Sequence, residues 1–233
     1  MNAAVVTARG GSKSIPLKNL APVAGKPILT YPIQAAQSAA LIDEVYLSTD
    51  DERIAKVGGQ CGATILWRPE YLATDTAGHA EVIQYACRQI QQAHPDLEVL
   101  VILLGNTVMI DGPTIDQCVQ LLMTRDDLDS VMTVWQAADD HPYRALTTDD
   151  EGLLLPFPDP DRKAPTNRQE YPTVYFYDNG VWAIRPSCVN ELNGRANPWT
   201  WMGQRCLPVV RDWVTGRDVH GPLDLAISEW WVS

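Results

Sequence analysis

Residues 3–19 read AAVVTARGGSKSIPLKN. The run AAVVT (3–7) has the length and apolar character of a strand buried on both faces, and the residues after it read as a loop, not a second strand. Within residues 8–19 that loop holds three cations (Arg9, Lys13, Lys18), the adjacent glycines Gly10 and Gly11, and the serines Ser12 and Ser14. Behind it, KPILTYPIQAAQSAALI (26–42) reads as a helix, with Pro32 either kinking it or marking its true first turn.

The same rhythm continues along the chain. EVYLST (44–49), TILW (64–67), LEVLVILL (97–104), SVMTVW (130–135) and NGVWAIR (179–185) read as strands. Between them lie helical patterns: DDERIAKVGGQ, then DTAGHAEVIQYACRQIQQAH with Val82, Ala86 and Ile90 on one face, then a segment marked by Ile115, Val119 and Leu122. A final helix, LDLAISEWWV, carries Leu223, Ile227 and Trp230 on one face. Continuous apolar strands alternating with amphipathic helices predict an α/β fold, a mostly parallel sheet between two helical layers. Residues 136–173 break the rhythm; rich in Pro and Asp, they predict a functional loop or a small interface arm. With 233 residues and no internal repeat, the expectation is one domain, 1–233, carrying that insertion.

Charge narrows the function. Eighteen Lys and Arg against 29 Asp and Glu give a formal net charge of −11, which repels nucleic acid and anionic lipid, so neither is expected as a partner. A basic cluster in so acidic a chain stands out. The five cysteines, Cys61, Cys87, Cys118, Cys188 and Cys206, are odd in number and form no CxxC pair, the pattern of reduced thiols in a cytoplasmic protein. The opening MNAAVVTARGG has no charged leader with a long apolar stretch and cleavage site, and no run of about eighteen apolar residues occurs anywhere. Neither export nor membrane spanning is expected.

A glycine-rich loop after the first strand of a parallel sheet lies at the carboxyl edge, where open α/β sheets bind ligands. Adjacent glycines let backbone N–H groups approach an anion, and Arg9, Lys13 and Lys18 are suited to neutralising a polyphosphate. Two common phosphate loops do not fit. A Walker-type lysine at Lys13 requires glycines where Thr7 and Ser12 stand, and no GxGxxG is present. HxxxH, HExxH and GxSxG are also absent, so zinc hydrolysis and a serine triad have no support.

ARGGSKSIPLKN resembles the signature of the acylneuraminate cytidylyltransferases, usually ARGGSKGIPxKN, and STDDERIA, RPEYLATDTA (68–77), RQ (168–169) and NG (179–180) follow in family order. The resemblance implies a Rossmann-like nucleotide-diphospho-sugar transferase fold. It further implies transfer of CMP from CTP to the anomeric hydroxyl of a nine-carbon keto-sugar acid, with release of pyrophosphate and with Mg²⁺, or Mn²⁺, as cofactor. Members are typically homodimers with an arm over the partner's sugar site, at the place of the 136–173 segment. The implied catalytic residues are Arg9, Lys13, Lys18 and Asp218. The implied nucleotide contacts are Ala8 to Lys13 (Ala8, Arg9, Gly10, Gly11, Ser12, Lys13), Arg68, Asp75, Thr76 and His79. Arg68 is alternatively a structural bridge to Asp75, and Asp75 and Thr76 are alternatively caps of the next helix. On the sugar side stand Gly105, Asn106, Thr107, Arg168, Gln169 and Asn179, with Arg168 as the bidentate partner of the sugar carboxylate.

Two departures from the family pattern matter. Where the family has LQPTSPLR, this chain has LLGNTVMID, so Gly105 removes a polar side chain and an acceptor of legionaminic or pseudaminic type becomes plausible. Where the family has D-x-D, this chain has RDVHGPLD, with Asp218 kept and His220 in place of the second aspartate. Asp218 is the expected Mg²⁺ ligand, because Mg²⁺ prefers oxygen donors. His220 is left to bind a metal-held water, a phosphate or the substrate. Asp224 is either a further acidic contributor or the cap of the last helix.

Overall fold

The computed structural model describes residues 1–233 except 12–14, 16, 75, 158, 160, 162, 193 and 195–198. In chain order the described elements are β1 (Asn2–Thr7), β2 (Pro22–Val23), β3 (Lys26–Pro27), α1 (Thr30–Ser38), β4 (Glu44–Thr49), α2 (Glu52–Gln60), β5 (Thr64–Trp67), α3 (His79–Ala93) and β6 (Val99–Leu104). They continue with α4 (Gly112–Thr124), β7 (Ser130–Gln136), β8 (Leu146–Thr148), β9 (Leu154–Pro156), β10 (Tyr175–Ile184), α5 (Pro186–Glu191), β11 (Cys206–Arg211) and α6 (Pro222–Val232).

Seven strands form the central sheet in the order β11-β7-β10-β6-β1-β4-β5. All neighbours are parallel except β10, which runs antiparallel to both β6 and β7. β1 is buried along its whole length and apolar at its four central residues because both its faces are covered. Ala4 and Val6 pack with Ile33, Ile115 and Val119 on one side, and Ala3 and Val5 with Ile83, Ile90 and Trp182 on the other. From β1 the chain winds outward through β4 to β5, then crosses back to place β6 on the other side of β1. That reversal opens a crevice at the carboxyl ends of β1 and β6, the usual ligand position in such sheets. There the Gly105 N–H donates to the Thr7 carbonyl at 2.9 Å.

Asp51 starts α2, its carboxylate accepting from the N–H groups of Arg53 and Ile54. α3 begins later than the sequence pattern suggests. Its N-cap is Gly78 with no side-chain cap, so Thr76 does not cap it, and Asp75 lies outside the described residues. Asp224, by contrast, does serve the last helix: its Oδ2 accepts from the N–H groups of His220 and Gly221, both at 2.9 Å.

Three features escape the periodic reading. β10 returns from a loop, not from a crossover helix, so nothing constrains it to run parallel. β11 contains Pro208, tolerated because the strand sits at the sheet edge. The patterned face of α6 points largely outward, with Leu223 and Trp230 exposed. The 136–173 segment holds the two-stranded hairpin β8–β9 and short 3₁₀ turns, and Leu146, Leu153, Leu154 and Phe157 on it are exposed.

Candidate active site

The first wall of the crevice is the loop after β1. Ala8 is buried and donates its N–H to the Ser48 carbonyl at the end of β4. The loop is drawn back by Asn19, a buried residue whose Nδ2 donates to the Arg9 carbonyl at 3.0 Å. Asn19 was part of the motif without a role of its own; its burial gives it one, as the tie that closes the loop. The Gly10 N–H donates to Asp50 at 3.1 Å, and a Cβ on Gly10 would stand 2.6 Å from the Asp51 carboxylate, so only glycine fits against α2 here. That amide is therefore held by Asp50, while Gly11 faces open space.

Arg9 reaches the Thr74 carbonyl through Nη1 at 3.4 Å. Arg68 is tied to Ser48, Nε to the hydroxyl at 3.0 Å and Nη2 to the carbonyl at 2.9 Å. Burial, opposed by Asp50 and reinforced by Arg9, brings its pKa down to about 10. The anchor of Arg68 among the described residues is thus Ser48. His79 opens α3 with Nε2 3.4 Å from the Thr7 hydroxyl, and its ring lies edge-on to Trp182, Trp199 and Trp201. Burial, aided by Arg68, lowers its pKa to about 4, so the imidazole is neutral near pH 7.

The second wall converges on Asp218. Its carboxylate is mostly buried, with Asn106 Nδ2 donating to Oδ2 at 2.8 Å and Asn179 Nδ2 donating to Oδ1 at 3.1 Å. His220 Nε2 stands 2.9 Å from the same Oδ1. Thr107 ties the two asparagine segments together, donating to the Asn179 carbonyl at 3.1 Å. Asp218, His220, Asn179, Tyr177, Trp135 and Trp213 are among the residues that line a cleft of about 280 Å³. A Cβ on Gly105 would come within 2.7 Å of the Ala8 Cβ, so its lack of a side chain is a packing requirement where β6 ends beside β1.

Lys18 joins the two walls. Desolvation lowers its pKa, and the charges that act on it are Asp218, Arg9 and Asp224 in that order. Arg9 from the loop and the two aspartates from the C-terminal segment are thus the charges felt at this half-buried ammonium. Arg168 and Gln169 are not among the residues that line the Asp218 cleft; with His141 and Tyr171 they line a groove of about 370 Å³. Arg168 pairs with Asp139 there. Ser12 and Lys13 lie outside the described residues. No group of three or more His, Cys, Asp or Glu side chains suited to a metal occurs among the described residues.

A family model described as "Cytidylyltransferase" matches residues 3–148, which hold β1, the basic loop after it and β6. The chain belongs to this cytidylyltransferase family. It is 31% identical over 178 residues to an N-acylneuraminate cytidylyltransferase from Escherichia coli, a match covering 76% of this chain and 40% of that protein. It is 41% identical over 91 residues to a pseudaminic acid cytidylyltransferase from Campylobacter jejuni, 39% of each chain. The matched stretches thus span less than half of these curated relatives. Among solved structures, a CMP:2-keto-3-deoxy-manno-octonic acid synthetase complexed with CTP superposes with a TM-score of 0.71 over 99% of this chain and 98% of that one, at 17% identity. For this cytidylyltransferase chain, that likeness establishes the nucleotide-sugar transferase fold.

Proposed function

We propose that the chain is a CTP-dependent cytidylyltransferase that joins CMP to the anomeric hydroxyl of a nonulosonic acid and releases pyrophosphate. The observation that carries this reading is the mostly buried Asp218 carboxylate, held by Asn106 just beyond β6 and by Asn179, in a chain whose first strand runs into the glycine-rich basic loop. Nucleotidyl transfer is mainly charge neutralisation and alignment. Arg9 and Lys18 would supply positive charge for the triphosphate, and the motif adds Lys13; the family resemblance assigns the nucleoside to Ala8, Gly10, Gly11, Ser12, Arg68, Asp75, Thr76 and His79. Asn106, Thr107 and Asn179 would act on the acceptor side, a reading supported by the bonds that tie them to Asp218 and to one another. The anomeric oxygen attacks the α-phosphorus directly, and no covalent intermediate is required.

The donor set at Asp218 suits Mg²⁺, an oxygen-preferring ion that commonly binds through one or two carboxylates and keeps water and phosphate oxygens as its other ligands. Asp218 would hold it, and bound there it would neutralise the phosphates. His220 is a poor Mg²⁺ ligand, and its contact with Asp218 Oδ1 suits it better to orient that carboxylate. The exposed apolar side chains of the β8–β9 hairpin support its use as a dimer arm, and Arg168 and Gln169 at its base would then face a partner's acceptor. The cysteines among the described residues are free thiols, which favours a cytoplasmic setting. No helix among the described residues is long and apolar enough to cross a membrane.

The test is pyrophosphate release with each of four nucleoside triphosphates against a panel of neuraminic, legionaminic and pseudaminic acids, in a Mg²⁺ and Mn²⁺ series. Release with CTP and one acid is expected. Binding of CTP with no release for any acid would refute catalysis and leave a nucleotide-binding protein on the same fold.

A further inference from the structure

One buried charge pair belongs to neither wall of the crevice. Asp178 is fully buried and Arg211, on edge strand β11, is 10% exposed, with Nη1 and Oδ2 3.0 Å apart. The second guanidinium nitrogen of Arg211 donates to the Met109 carbonyl. The other oxygen of Asp178 accepts from the Thr133 hydroxyl at 2.5 Å and from the Gly180 N–H at 2.8 Å, and Thr133 Oγ1 in turn accepts from the Val181 N–H at 2.7 Å.

These bonds surround a bulge. Between the β10–β7 pairs Tyr177↔Val134 and Trp182↔Met132, four residues of β10 face the single residue Thr133. The extra chain leaves the Gly180 and Val181 amides without a strand partner, and Asp178 and Thr133 accept from both. At the crest Asn179 holds a left-handed φ of 54° and projects its amide onto Asp218. Space beneath is tight: a Cβ on Gly180 would stand 2.5 Å from Arg211 Nη1, and one on Gly216 2.9 Å from the Asp178 Cβ. A buried ion pair is a poor way to gain stability, since apolar residues of equal volume often do as well. It is a good way to fix a strained backbone in one conformation.

We propose that Arg211 and Asp178 are positioning residues: their ion pair fixes the β10 bulge and so holds the Asn179 amide against Asp218. The proposal rests on the cytidylyltransferase reading for its kinetic consequence. Removing one partner would strand a buried charge, so the test removes both, with Arg211→Met and Asp178→Asn combined. The double variant is expected to keep a thermal midpoint near the parent's and the parent's KM for CTP, while kcat falls by about tenfold or more through misplacement of the acceptor side. Asn179→Ala is expected to add less than about twofold in that background, although it costs the parent far more, because the pair and Asn179 act as a unit.

Parent-like kcat in the folded double variant, or full additivity with Asn179→Ala, would overturn the proposal. If the double variant does not fold, Arg211→Gln combined with Asp178→Asn, which removes both charges but leaves a polar side chain at each position, enters the same cycle under the same criteria. If the parent itself releases no pyrophosphate, the functional reading fails separately. The bulge is then read by amide exchange at Gly180 and Val181, where lost protection in a variant with both charges removed supports the pair and unchanged protection refutes it.

Discussion

Acidification should find His79 before most of the fold. The imidazole sits among Trp182, Trp199 and Trp201 with Arg68 nearby, and its pKa is held at about 4 against an ordinary 6.5. The unfolded chain therefore takes up this proton first. Stability from a neutral His79 is full above pH 6.5, falls as the pH drops below that value, and is fully lost below about 4. At about 1.4 kcal/mol per pH unit the whole loss is about 3 kcal/mol, an upper bound because His79 as a residue is only partly buried. Of this, about 2.5 kcal/mol should be gone at pH 4.5. The assay is urea unfolding followed by tryptophan fluorescence at pH 7 and pH 4.5, for the parent and for His79→Gln, which keeps a polar group near Thr7 but cannot take the proton. Carboxylates elsewhere titrate in both proteins, so the difference between their losses isolates His79. Equal losses, within about 0.5 kcal/mol, would refute the buried neutral imidazole.

Three further outcomes are expected. Asp218→Asn should fold, since an amide can still pair with Asn106 or Asn179, yet lower pyrophosphate release by about a hundredfold or more; near-parent turnover would remove Asp218 from the chemistry. Gly105→Ala should cost about 1–3 kcal/mol in a denaturant titration, because its Cβ meets the Ala8 Cβ at 2.7 Å and the Thr7 carbonyl at 3.2 Å. Asp51→Ala should cost about 1–2 kcal/mol through the lost cap of α2, and a change under about 0.3 kcal/mol would show that the bonds to Arg53 and Ile54 carry no stability.

The sequence by itself determined the elements that depend on local pattern. AAVVT, EVYLST and TILW form the strands β1, β4 and β5, and the glycine-rich loop after β1 lies at the carboxyl edge of the sheet, because strand and helix periods are written in neighbouring side chains. Its ARGGSKSIPLKN stretch also carried the family. Tertiary structure decided the direction of β10, the edge strand β11 with its proline, the bulge at Asn179, and the pairing of Arg168 with Asp139, neither of which lines the Asp218 cleft. It also decided what Gly105 is for, since the space a Cβ would need is filled by residues of β1 and the loop beyond it. The carboxylate of Asp218 meets Asn106 across 112 residues of chain and Asn179 across 39. No local period encodes such contacts; they exist because burying both faces of one sheet brings the end of β6, the bulge of β10 and the segment after β11 together.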